Sequence, residues 1–135
     1  MKKVESEPRN VLLVHDHAGM SDALSKGLGK FGHFCFLAKS FSEAEEILRE
    51  TVIHVILCDC SINGVSPFGF IAASADPREI PCHLISAAPE YWNKSWEKLS
   101  DRRQHAGRVI DLQQETENGY ALLRAKIAEA PMSIE

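Results

Sequence analysis

Short unbroken apolar runs alternate with amphipathic segments along nearly the whole chain. Val11, Leu12, Leu13 and Val14 form one such run, of strand length, and it stops at the polar His15-Asp16-His17. Beyond it Met20, Leu24, Leu28 and Phe31 recur at helical spacing, and Gly32 suits the left-handed position that ends a helix. Residues 34–38 read as a second strand. Ser40 and Glu43 form a capping-box pair ahead of a helical face made by Phe41, Ala44, Ile47 and Leu48. Residues 52–58 predict a third strand, which stops at Asp59. A third helix is expected over 67–75, closed by Asp76-Pro77, and a fourth strand over 82–85, ending at Ser86. A polar fourth helix is expected over 92–105, with Trp92, Trp96 and Leu99 on one side. Gly107 opens a fifth strand over 108–112, and a last helix over 119–130 carries Tyr120, Leu123 and Ile127 on one face.

Five strands alternating with five helices imply a parallel sheet covered on both sides, because a parallel crossover needs a helix. Strands buried on both faces lose the polar alternation of half-exposed ones and read as continuous apolar runs, as these do. The pattern therefore predicts a doubly wound α/β fold. In such folds ligands collect where the strands run out at their carboxyl ends. That edge holds His15, Asp16 and His17, then Asp59, Ser86 and Asp111.

Length and charge narrow the function. A chain of 135 residues fits one domain with one core, needing neither disulfide nor structural metal to fold. The expected organisation is a flexible leading segment over 1–9, one domain over 10–130 and a short tail over 131–135. A formal net charge of −4 argues against a general nucleic-acid binder, which needs a basic surface. The polar amino-terminus shows no signal peptide, and no apolar stretch approaches the ~18 residues of a membrane span, so a cytoplasmic protein with no membrane partner is expected. Cys35, Cys58, Cys60 and Cys82 form no CxxC pair, and three of them lie in apolar runs, where Cys packs as a small hydrophobe. His15-Asp16-His17 offers ligand types that zinc accepts, without a clearly placed third ligand from elsewhere. No glycine-rich loop with dinucleotide spacing follows the first strand, which leaves a metal- or ligand-binding flavodoxin-like protein as a minor alternative.

Four segments in this order resemble the receiver domains of bacterial response regulators. VLLVHDH resembles the family's first strand, which ends in a pair of acids that hold magnesium. VILCDCSING resembles the third strand with its phosphoacceptor aspartate, here Asp59, followed by Ile62, Asn63 and Gly64. HLISA resembles the fourth strand with its switch hydroxyl, here Ser86, and GRVIDLQ the fifth. The resemblance implies the flavodoxin-like strand order 2-1-3-4-5. It also implies a stand-alone receiver in two-component or phosphorelay signalling, with a histidine kinase, phosphotransfer protein or effector as partner. Enzymatic activity would be at most self-phosphorylation and dephosphorylation at Asp59. Homodimer pairing would use the face made by the fourth helix, fifth strand and fifth helix.

The departures concentrate at the chemistry. His15 stands where the first acid belongs, while Asp16 keeps the second. Asn63 replaces the usual proline, Arg108 the aromatic switch residue, Asp111 the lysine and Leu112 the proline after it. The resemblance leaves Asp16, Asp59 and the Ser61 carbonyl as magnesium ligands, with His15 a poor substitute for a hard oxygen. Mg2+ is thus the expected cofactor, weakened by His15 and Asp111. Two further expectations follow. His15 and Asp111 can form an exchanged ion pair, and a phosphorylation-independent pseudo-receiver that acts as a protein-interaction module is the alternative function.

Overall fold

Val11, Leu12, Leu13 and Val14 are wholly buried because their strand is central, flanked on both edges and covered on both faces. The computed structural model describes residues 7–88 and 109–132. Its strands are β1 (Asn10–Val14), β2 (Phe34–Ala38), β3 (Val55–Asp59), β4 (Cys82–Ser86) and β5 (Ile110–Asp111), all parallel, in the order β2-β1-β3-β4-β5. The helices are α1 (Ala18–Gly29), α2 (Phe41–Glu50), α3 (Phe68–Phe70, running into a π turn at Ile71–Ala75), α4 (Leu112–Glu117) and α5 (Ala121–Glu129). The doubly wound fold is as the hydrophobic pattern predicts, and the strand order is the one the resemblance implies.

Successive strand residues point to opposite faces, so each run feeds two cores. Val11 and Leu13 join Val55, Leu57, Ile85 and Ile110 under Leu24 and Leu28 of α1 and Leu123 and Ile127 of α5. Leu12 and Val14 join Ile56, Cys58 and Leu84 under Ala44 and Leu48 of α2 and Phe70 and Ile71 of α3. Cys58, Cys60 and Cys82 are free thiols in that second core. Burial pushes Cys60 and Cys82 up to about 12 and Cys58 well above its ordinary value, so they pack as inert hydrophobes.

Several boundaries differ from the sequence reading, each for a local reason. β3 starts at Val55, because Thr51 closes α2 and Val52 is exposed in the connection. β5 is two residues long, because Asp111 caps a helix that begins at Leu112. Gly119 and Tyr120, both at positive φ, then separate that short helix from α5. Glu115 ties the two together: its carboxylate is buried and accepts the Leu123 amide at 2.8 Å. α1 ends at Gly29, and Gly32 takes its left-handed φ of 92° three residues later. In the third helix the Asp76 amide reaches back five residues to the Ile71 carbonyl, which widens the last turn. The expected fourth helix, with Trp92 and Trp96, and Arg108 at the start of the expected fifth strand lie outside the described residues.

The amino-terminal edge of the sheet is fastened by side chains. Arg9, placed by the sequence reading in the flexible leading segment, is 7% exposed. Its guanidinium donates to the Ala128 and Ala130 carbonyls at the end of α5. The Arg9 amide donates to His33 Nδ1 at 3.1 Å, and the Asn10 amide to His54 Nδ1 at 2.9 Å. Burial, and then the Arg9 charge, hold His54 below the ordinary imidazole range. A histidine with a lowered folded-state pKa adds stability above its unfolded value of about 6.5, and this is lost as pH falls through the folded value. Chemical denaturation at pH 7 and pH 5 should therefore show a loss of stability on acidification. His54→Asn, which keeps an acceptor at the same position without titrating, should reduce that loss.

Gly27 and Gly29 make opposite predictions within one helix. A Cβ at Gly27 would run into the Tyr120 ring, whereas at Gly29 it would meet nothing within 4 Å. Gly27→Ala should cost about 1–3 kcal/mol through overpacking. Gly29→Ala should add about 0.5–1 kcal/mol through backbone entropy. Urea unfolding of both variants measures the contrast.

Candidate functional site

Parallel register carries the polar ends of the strands to one edge. Val14 pairs with Cys58, Asp59 with Ile85 and Ser86 with Asp111, so the residues just past β1 stand beside the end of β3. His15 continues the ladder through its amide, which donates to the Ala38 carbonyl at 3.0 Å. Its ring is buried, with Nε2 3.7 Å from Asp59 Oδ2 and Nδ1 3.9 Å from Asp16 Oδ1. One ligand atom from each of His15, Asp16 and Asp59 lies within 4.8 Å of the others.

Each member is fixed locally. His15 Nδ1 accepts the backbone N–H of His17 at 3.1 Å. His17 is the N-cap of α1, its own Nδ1 accepting the Met20 amide at 3.2 Å. Asp16 Oδ2 accepts the Asn63 amide at 2.7 Å, and the Asn63 side chain donates to the Lys39 carbonyl at 3.2 Å. Asn63 and Gly64, at φ 52° and 80°, form a two-residue turn in which Ile62 and Val65 exchange both backbone hydrogen bonds. That is the type I′ geometry that favours Asn-Gly. A proline at position 63 can neither adopt this φ nor donate to Asp16, which accounts for its absence.

Asp59 is the electrostatic centre of the group. Burial raises its pKa, the His15 ring and the Cys60 amide pull it down, and the neighbouring Asp16 carboxylate pushes it up. Two carboxylates this close suit a small divalent cation with oxygen ligands, so the donor set fits magnesium through Asp16 and Asp59.

The other expected residues divide. Ser86 is buried at the end of β4, and its Oγ accepts the Ala88 amide at 2.9 Å, leaving the hydroxyl proton to donate. Ser61 lies between Asp59 and the buried Ile62, in the lead-in to the turn. His17 is a helix cap outside the His15-Asp16-Asp59 group, so a zinc site built on His15-Asp16-His17 does not form. The expected ion pair between His15 and Asp111 is also absent. His15 faces Asp16 and Asp59, while Asp111 Oδ1 accepts the Gln113 and Gln114 amides at 3.0 and 3.3 Å. Aspartate is a preferred N-cap, and the four unpaired amides of a helix start draw its charge along the chain. Sequence reasoning missed the turn and this cap, although Asn63-Gly64 and an Asp just before a helix are both readable signals. The His17 cap had no such signal, since histidine is not a preferred capping residue.

No protein-family model matches the chain, and no curated protein matches it. Solved structures do. The non-phosphorylated HemR receiver domain from Leptospira biflexa is similar with a TM-score of 0.69 at 18% identity, over 93% of this chain and 98% of that one. The receiver domain of the PhyR response regulator from Erythrobacter litoralis gives a TM-score of 0.67 at 19% identity, over 94% and 97% of the two chains. The response regulator PhyR from Brucella abortus gives 0.70 at 17% identity, over 91% of this chain and 48% of the longer one. The chain has the receiver fold.

The cap predicts how position 111 responds to substitution. Asp111→Lys removes the acceptor at the start of α4 and should cost about 1 kcal/mol, whereas Asp111→Asn should cost only a few tenths. Thermal unfolding of the two variants separates capping from any charge effect in the pocket.

Proposed function

We propose that the chain is a receiver-like signalling protein of a two-component or phosphorelay pathway, with Asp59 as phosphoacceptor in an altered site. The observation that carries the reading is the meeting of Asp59 with Asp16 at the carboxyl edge of the sheet, with His15 beside both. Asp59 ends β3, partly buried, where its carboxylate can attack the phosphorus of a donor as the leaving group departs. Asp16 and Asp59, with the Ser61 carbonyl by family resemblance, would hold magnesium, which when bound supplies positive charge beside the phosphoryl oxygens. The Ser86 hydroxyl, whose oxygen accepts the Ala88 amide, takes the phosphoryl contact. A kinase, phosphotransfer or effector protein reads the result, and a homodimer through the face holding the fifth strand and last helix is part of the same reading.

A second reading is favoured by one specific observation. Asp111 brings no cation to the pocket, being engaged by its own helix. A module of this fold that binds its partner without phosphorylation needs no such cation. Intact mass measurement after incubation with a small-molecule phosphodonor decides between the two. The first reading expects one phosphoryl group, dependent on Mg2+ and lost in Asp59→Asn. It also expects the double variant His15→Asp, Asp111→Lys to react about tenfold faster, equivalent to about 1.4 kcal/mol at the barrier. A folded protein that never gains the mass would establish the phosphorylation-independent module.

A further inference from the structure

The neighbours of His15 determine which ring nitrogen carries its proton. Nδ1 accepts the His17 N–H at 3.1 Å, and an imidazole nitrogen that accepts an N–H holds no proton of its own. In the neutral ring the proton is therefore on Nε2, the nitrogen 3.7 Å from Asp59 Oδ2. The donating amide is itself held in place. The His17 carbonyl accepts the Ser21 amide at 3.1 Å, its ring accepts the Met20 amide, and the Ser21 hydroxyl stands 3.5 Å from the His15 carbonyl. The His15 side chain is 9% exposed.

A metal-bound imidazole needs the opposite arrangement. Its ligating nitrogen is bare, and its other N–H donates to a carbonyl or carboxylate. Ligation through Nε2 would place a ring proton on Nδ1, facing the His17 N–H. Ligation through Nδ1 would displace that N–H from the lone pair it occupies. Either route disturbs the cap of α1, whereas Asp16 Oδ1 faces the pocket with Oδ2 already fixed by Asn63.

We propose that His15 serves this pocket as a fixed Nε2–H donor to oxygen on Asp59, and not as a ligand of the divalent ion. At rest that oxygen is the Asp59 carboxylate; in the modified protein it is a phosphoryl oxygen, and this second half rests on the phosphoacceptor reading given above. At 3.7 Å the two atoms stand beyond hydrogen-bond distance, so making an ordinary N–H···O bond of ~2.9 Å takes a shift of about 1 Å. His15 thus restores from the first strand a donor that Asp111 does not provide from the fifth.

Long-range proton–nitrogen correlation spectra of the full chain, labelled with nitrogen-15 histidine and assigned with His15→Gln, test this directly. The expected spectrum shows His15 protonated at Nε2 and bare at Nδ1. That pattern should persist at saturating Mg2+ and at saturating Zn2+, the probe with the stronger preference for imidazole. A proton on Nδ1 before or after either metal, or a large shift of the bare Nδ1 nitrogen when either metal is added, overturns the proposal. Beryllofluoride with Mg2+ should then shift the Nε2–H resonance along with the Cys60 amide; a shift of Cys60 alone overturns the donor role. If beryllofluoride moves neither, the phosphoacceptor reading fails, and Asp59→Asn decides the resting half. The Nε2–H resonance must move in that variant, and an unmoved resonance overturns the proposal.

Discussion

A parallel sheet covered by helices on both faces leaves one place for polar side chains to meet, the edge where the strands run out. β1 shows the constraint most fully: four successive residues have no exposed surface, so a charged side chain anywhere among them would be desolvated without a partner. The first position with access to both solvent and neighbouring strand ends is His15-Asp16. The same holds for β3, where Val55 to Cys58 are buried and Asp59 is the first polar residue. The chemistry is thus placed by the packing, and the parallel register then brings the two ends together.

At that edge, magnitudes decide how far each charge matters. Two unit charges about 4 Å apart interact by about 4 kcal/mol at an effective dielectric near 20. An aspartate facing Asp59 in place of a lysine would weigh heavily on that scale. Asp111 instead turns its carboxylate to two amides at a helix start, an interaction of about 1 kcal/mol that requires no partner from the pocket. Position 111 therefore brings no cation to the pocket, and no third acid joins Asp16 and Asp59 at ligand distance among the described residues. Asp16 follows the same logic, its carboxylate being steadied by the Asn63 amide.

Much of this was legible in the sequence, and what was not has a common cause. The strands, the two cores and the placement of His15, Asp16 and Asp59 follow from periodicity and strand ends, because burial on both faces writes itself directly into composition. The element boundaries at Val52, Leu112 and Gly119 did not follow from it. Val52 and Leu112 are apolar and extend the neighbouring runs, while the decisive events are a chain reversal after α2 and a cap at Asp111. Pairings within the site were less legible still. An ion pair between His15 and Asp111 is sound charge arithmetic, but backbone amides compete for both side chains, and amides leave no trace in the sequence.

That competition extends to the histidines as a group. His15, His17, His33 and His54 each accept a backbone N–H at Nδ1, from His17, Met20, Arg9 and Asn10. Two stand at the carboxyl edge of the sheet and two at the amino edge, so β1 is bracketed at both ends by imidazoles acting as acceptors. In each neutral ring the proton is left on Nε2, facing away from the amide. At the amino edge this fastens the start of β1 between the segments leading into β2 and β3. At the carboxyl edge the same bond orients a ring toward Asp59. A single local habit, an imidazole receiving a main-chain proton, fastens the central strand where it enters the sheet and aims a donor into the pocket where it leaves.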